Sequence, residues 1–276
     1  MTNILITGAN GGIGSALVAE LAKHSYTVFA AARNPDNIPS FNADAEANVQ
    51  RIALDICDQS SVDTAIKTMD LQGGVDVLVN NAGYGQMGAL LDMPIASLAH
   101  QFEVNLFAQL RLIQTVSHAM IQRKKGRIVN IGSVSGITAT PFAGAYCASK
   151  AALHLMSDSL RMELAPFGID VVIVQPGAIR SSFGKAASSE LKLGPDSSHY
   201  KAAEQGIRQR AVESQNERST PAAEFAEIFR RKVLADSCPS VVRIGSGSTL
   251  LPALKRWLPT KLLDRAMIKR FGLSKI

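Results

Sequence analysis

Short apolar runs recur along roughly the first 245 residues, separated by longer stretches of helical periodicity. Ile4–Ile6, Thr27–Ala31, Val49–Leu54, Val75–Val79, Arg127–Ile131, Ile169–Val174 and Ser240–Ile244 read as strands. Several are apolar without alternation, as expected of strands covered on both faces. Between them Ser15–Lys23, Ser60–Met69, Ile95–Arg123, Ala145–Leu164 and Pro221–Leu234 read as helices. Alternation at this spacing predicts an α/β fold: a doubly wound parallel sheet of about seven strands with helices on both faces.

Two regions depart from the pattern. Ser181–Arg218 is polar, rich in Ser, Lys and Glu, and directly follows a strand. In an open α/β sheet that end of a strand faces the ligand crevice, so a long insertion there is expected to act as a lid over substrate; the plainer reading is a surface loop. In Leu250–Phe271, Leu250, Leu254, Leu258 and Leu262 recur every four residues with Trp257, Leu263, Met267 and Phe271 nearby. Lys and Arg fill the gaps, and Pro252 and Pro259 interrupt the helix. An interfacial membrane helix is one reading; a terminal helix packed on its own subunit or a partner is the favoured one. The division expected is residues 1–245 for dinucleotide binding and catalysis and 246–276 for a basic amphipathic extension.

Composition narrows this picture. Of 276 residues, 46% are hydrophobic and 19% charged, which fits an ordered globular chain. No stretch is long and apolar enough to span a membrane, and a strand within the first few residues leaves no room for a targeting peptide. Cys57, Cys147 and Cys238 are scattered without metal spacing, which suits a reducing, cytoplasmic compartment; Cys147 reads as a small packing residue. The net charge of +6 equals the excess of Lys255, Arg256, Lys261, Arg265, Lys269, Arg270 and Lys275 over Asp264. The remainder balances, so a nucleic-acid partner is not indicated.

Candidate chemistry begins at "ILITGANGGIG", Ile4–Gly14, a strand followed by a glycine turn and a helix start. Gly8, Gly12 and Gly14, with Asn10 and Ile13 between, would form a cradle in which backbone N–H groups and a helix N-terminus meet a pyrophosphate. Arg33 stands nineteen positions after Gly14, where a dinucleotide site chooses between the bare ribose and its 2′-phosphate. A guanidinium grips that phosphate and a carboxylate repels it, so NADP (as NADPH) is expected and NAD disfavoured. Asp36 would reverse the preference if the strand ended later.

Six patterns fall in order: Thr7–Gly14, "LDI" around Asp55, "NNAG" at Asn80–Gly83, "IVNIGSVSG" at Ile128–Gly136, "YCASK" at Tyr146–Lys150 and "QPGAIRSSF" at Gln175–Phe183. Together they resemble the short-chain dehydrogenase/reductase family, in its single-domain oxidoreductase branch with a Rossmann fold, over roughly residues 1–245. The resemblance implies Tyr146 as general acid/base, Lys150 as its partner, Ser133 as the hydrogen-bond donor to the substrate oxygen, and Asn105 as the holder of a relay water. It implies Asp55 and Ile56 beside the adenine and Asn81 and Gly83 along the cofactor ribose. Pro176, Gly177, Ile179 and Ser181 would lie near the nicotinamide. Ser181 replaces a common threonine and keeps the hydroxyl, and Ser135 reads as a turn residue.

The implied reaction moves a hydride between nicotinamide and a carbinol carbon while a proton moves at oxygen. A free phenol, with a pKa of about 10, needs roughly 4 kcal/mol of preference for phenolate to titrate near 7. An ammonium at about 4 Å supplies roughly that at an effective dielectric of about 20. Tyr146 and Lys150 share a helix face, so the lysine can activate the tyrosine, although burial pushes the phenol the other way. Lys150 has a second role open to it, bonding the nicotinamide ribose. No metal is required. The five histidines form no cluster, and His154, two turns after Tyr146, reads as packing or a subunit contact.

Tyr84, Gln86, Met87, Phe142, Ala178 and Phe183 are expected to line a largely apolar pocket. That favours a hydrophobic ketone or alcohol, steroid-, retinoid- or lipid-like, over an anionic sugar. A reductase of small carbonyl or quinone compounds and a non-catalytic NADP-sensing regulator are the alternatives; the intact Ser133–Tyr146–Lys150 set speaks against the regulator. Broad apolar faces on Ile95–Arg123 and Ala145–Leu164 point to a homodimer or homotetramer.

Overall fold

The computed structural model describes all of residues 1–276 apart from Glu190 and Lys192 and, at Lys185 and Ala186, gives the backbone alone. Along the chain come β1 (Thr2–Thr7), α1 (Gly12–Leu21), β2 (Tyr26–Ala32), α2 (Ala43–Glu46), β3 (Val49–Ala53), α3 (Gln59–Asp70), β4 (Val77–Asn80), α4 (Ile95–Phe102), α5 (Ala108–Arg123) and β5 (Gly126–Ile131). Then follow α6 (Gly144–Leu164), β6 (Ile169–Pro176), β7 (Ile179–Arg180), α7 (Phe183–Ser189), α8 (Glu204–Val212), β8 (Thr220–Pro221), α9 (Ala222–Val233), β9 (Val241–Ile244), α10 (Leu250–Trp257) and α11 (Thr260–Arg270).

Seven strands form one parallel sheet in the order β3-β2-β1-β4-β5-β6-β9. The unalternating apolar runs are explained by its two covered faces. Ile4 and Ile6 join Leu17, Leu21, Phe225 and Phe229 on one side, whereas Leu5 joins Val62, Met69, Leu112 and Ile128 on the other. Chain order reverses at β1, which pairs with β2 on one side and β4 on the other. A crevice therefore opens beyond the carboxyl ends of those strands, where such sheets bind ligands.

Three differences from the sequence reading have local causes. The helix expected over Ile95–Arg123 is broken by a π-turn at Glu103–Phe107, whose Asn105 is fully buried. Its side chain accepts from Tyr84 N at 3.1 Å and donates to Tyr84 O at 3.0 Å and Ser149 Oγ at 3.1 Å. Second, the polar Ser181–Arg218 stretch contains α7 and α8, and its ends meet where Ile179 pairs with Thr220. Glu190 and Lys192 of that stretch lie outside the described residues. Third, the terminal region is two helices parted at Pro259. Pro252 does not interrupt: it sits in the first turn of α10, where its missing N–H would have no helical acceptor. Leu263 and Phe271 are buried, Phe271 with Phe142, Ala203 and Ile207, while Leu250, Trp257 and Leu262 stay exposed. Among the described residues no helix is long and apolar enough to cross a membrane.

Candidate active site

The glycine turn is locked to "NNAG" by short polar contacts. Thr7 Oγ1 accepts from Asn81 N and Ala82 N, both at 3.0 Å, and Asn81 Nδ2 donates to Thr7 O at 2.9 Å. Gly8 and Gly12 have φ of +66° and +47°, the left-handed region that glycine tolerates best. Gly14 is buried on α1, and a Cβ there would drive into the Gly8 carbonyl. Gly11 caps α1 without a side-chain bond, so the first N–H groups of the helix remain free for an anion. The turn thus fits a pyrophosphate.

One cavity of about 760 Å³ runs from this turn across the crevice. Gly8, Asn10, Gly12, Ile13, Arg33, Asp55, Ile56, Asn81 and Gly83 line one end; Pro176, Gly177, Ile179 and Ser181 line the middle. Ser133, Tyr146 and Lys150 also face it, whereas Gly14 and Asn105 stand behind its wall and shape it. β2 ends at Ala32, so Arg33 follows directly at the rim and is exposed. Asp36 sits in a separate exposed turn away from the cavity, which removes the rival carboxylate. Asp55 Oδ1 accepts from Cys57 N at 2.9 Å, and Arg111 Nη1 donates to Ile56 O at 3.2 Å, fixing the 55–57 turn.

At the other end Tyr146 hydrogen-bonds Ser133, and Ser133 Oγ also accepts from Ser135 N at 3.1 Å. Burial pushes the Tyr146 phenol above its ordinary value; the Ser133 bond and the charge of Arg210 oppose that push. Lys150 is not the cation acting on the phenol here. Its Nζ donates to Ile131 O at 2.7 Å, and burial lowers its pKa to about 8. His154, expected to be packing, packs on the loop that carries the serine. Its ring occupies the space a side chain at Gly132 or Gly136 would need, and its Nε2 accepts from Ser133 N at 3.4 Å. Burial first, then the Lys150 charge, lowers it to about 4, so it is a neutral acceptor at pH 7. Cys147 is buried with its thiol pushed up by burial, which suits packing rather than reactivity.

The pocket reading needs correction at three positions. Tyr84, Ala178 and Phe183 line the cavity, and Phe183 packs on Tyr146 with ring centroids 5.5 Å apart. Gln86, Met87 and Phe142 do not line it. Gln86 is buried with its N–H on Gln101 Oε1, Met87 is fully buried behind Tyr146, and Phe142 turns at a φ of +64° to pack against Tyr200. Their places are taken by Thr138, Thr140, Arg210, Ser214, Leu251, Met267, Arg270 and Phe271, which the sequence reading missed. The last four belong to the terminal helical region, whose advance signals were its apolar spacing and its basic residues.

A family model described as short chain dehydrogenase matches residues 2–192. The chain belongs to the short-chain dehydrogenase/reductase family. It is 37% identical over 274 residues to the short-chain dehydrogenase ptmH of Penicillium ochrochloron, spanning 98% of both chains. It is 28% identical over 278 residues to the NADPH-dependent 1-acyldihydroxyacetone phosphate reductase of Saccharomyces cerevisiae, covering 99% of this chain and 92% of that one. A solved short-chain dehydrogenase from Streptomyces avermitilis superposes with a TM-score of 0.78 at 28% identity, over 100% of this chain and 98% of that one. As a short-chain dehydrogenase/reductase, the protein is an oxidoreductase acting on CH–OH or C=O groups of a small molecule with a nicotinamide dinucleotide.

Proposed function

We propose that this oxidoreductase uses NADP(H) and interconverts a hydrophobic ketone, steroid-, retinoid- or lipid-like, with its secondary alcohol. The reading rests on one observation: Ser133, Tyr146 and Lys150 converge on a cavity whose far rim carries Arg33 and no carboxylate at the corresponding position. Gly8, Asn10, Gly12 and Ile13 would hold the pyrophosphate, Arg33 the 2′-phosphate, Asp55 and Ile56 the adenine, and Asn81 and Gly83 a ribose. Pro176, Gly177, Ile179 and Ser181 would border the nicotinamide. When bound, the dinucleotide supplies or takes the hydride. The yeast relative, named for NADPH and for 1-acyldihydroxyacetone phosphate, supports NADPH and an acyl-bearing substrate.

Ser133 orients the substrate oxygen and donates to it as charge develops. Tyr146 gives that oxygen its proton in reduction. A phenol whose pKa burial raises is fully protonated at pH 7, the state an acid donor needs, and this favours reduction. Lys150 carries a charge at pH 7, is anchored on Ile131 O, and is available to the ribose and to the returning proton. Asn105 fixes the Tyr84 backbone and Ser149, and so the wall beside Lys150. Residues 181–218 act as the lid, with 246–276 as its outer wall. Phe107, exposed at the end of the π-turn, and Leu155 and Met162, exposed on α6, supply a face for a dimer or tetramer.

The test is NADPH absorbance against a ketone panel, with NADH in parallel. NADPH is consumed with apolar ketones and NADH poorly. Tyr146→Phe lowers turnover by roughly a thousandfold while NADPH still binds. Equal use of NADH removes the cofactor reading. Binding without turnover on any ketone favours the sensor.

A further inference from the structure

Arg210 projects from α8 into the catalytic end of the cavity, and no role assigned so far uses it. Its Nε donates to Thr140 Oγ1 at 2.7 Å, and its Nη2 reaches Ser135 Oγ at 3.5 Å. Both partners are neutral hydroxyls. Among the described residues no carboxylate pairs with this guanidinium, although it is half-buried. The carboxylate lining the same end, Glu213, pairs with Arg270 through Oε1, while its Oε2 is buried with no partner among the described residues. A second polar group waits there: the Ser214 hydroxyl is buried on the cavity wall with no partner among the described residues. A guanidinium's planar fork of donors matches carboxylate or phosphate oxygens.

We propose that Arg210 receives an anionic group, carboxylate or phosphate monoester, borne by the substrate close to its reacting carbonyl, with the Thr140 and Ser214 hydroxyls beside it. The substrate is then an amphiphile. Its charged end lies near Ser133 and Tyr146, and its apolar part lies along Phe183, Leu251, Met267 and Phe271. The proposal rests on the reductase reading for the carbonyl, but the anion site itself does not need turnover. The plainer role for Arg210 is a latch, tying α8 to the 138–140 loop through Thr140.

The experiment separates these. Dodecyl phosphate, dodecanoate and dodecanol are titrated into the enzyme–NADPH complex, with binding read from NADPH fluorescence. Wild type is expected to bind one of the anions at least about thirtyfold more tightly than dodecanol, from one or two charge-assisted hydrogen bonds. Which anion wins identifies the source. Arg210→Gln is expected to lose that preference while binding dodecanol within about threefold of wild type, and Arg210→Lys to recover part of it. In turnover, 3-oxododecanoate should exceed its methyl ester mainly through KM, and Arg210→Gln should erase the difference. A wild type that binds dodecanol as tightly as both anions overturns the proposal. So does an Arg210→Gln variant that weakens all three probes alike, which is the latch. Anion preference without turnover of any ketone would instead condemn the reductase reading and leave the site standing.

Discussion

The two ends of the cavity are built from different materials. At the dinucleotide end, main chain and small residues do most of the work: Thr7, Gly8 and Asn81 exchange hydrogen bonds, and Gly12 and Gly14 leave no side chain in the way. At the substrate end the wall consists of long side chains from separate elements, with Phe183 from α7, Arg210 from α8, Leu251 from α10 and Met267 from α11. A wall of backbone tolerates almost no substitution where an added atom meets main chain, as at Gly8 and Gly14. A wall of side chains tolerates many and changes its preference with each. Tyr146 and Lys150 stand on α6, held by the Ser133 hydroxyl and the Ile131 carbonyl respectively.

The largest expected effect lies at the backbone end. Gly14→Ala places a methyl group into the Gly8 carbonyl and within 2.7 Å of Asn81 Nδ2. It should cost about 3 kcal/mol of stability, read in urea melts, and weaken NADPH binding more than tenfold; an unchanged melt would mean that this end is softer than described. Between the ends, Lys150 titrates at about 8 when folded, against an ordinary lysine value of 10.5 when the chain is unfolded. The unfolded chain therefore binds the extra proton between those values, and stability from this group rises with pH across that window. Wild type should gain up to about 3 kcal/mol relative to Lys150→Met over it; parallel pH curves for the two would show that the amine is less buried. The smallest effect is at the side-chain end. Phe183→Ala should lower kcat/KM for a long-chain ketone by roughly tenfold, as expected for about 1–2 kcal/mol of lost apolar contact, and leave NADPH affinity alone. A comparable loss of NADPH affinity would erase the distinction between the ends.

The same division explains what could be read from the chain. All seven main strands were visible, because unbroken apolar runs such as Ile4–Ile6 divide between two covered faces. Arg33 directly follows β2, because the strand ends where its apolar run ends. The π-turn at Asn105 was not visible, since one extra residue per turn leaves helical periodicity nearly intact. Gln86, Met87 and Phe142 were misplaced because nearness in sequence to "NNAG" and Tyr146 says nothing about which side of a wall a side chain takes. Arg210 was missed for the opposite reason: in a polar stretch a single arginine carries no periodic signal, and only α8 packing back on the 138–140 loop brings it to Tyr146.

The pairing of Ile179 with Thr220 has a wider consequence. Some forty residues leave the body of the molecule and return to it at a single point. Such an excursion can be lengthened, shortened or exchanged between related chains without moving any strand of the main sheet. The hydride-transfer site can then stay fixed while the choice of substrate drifts.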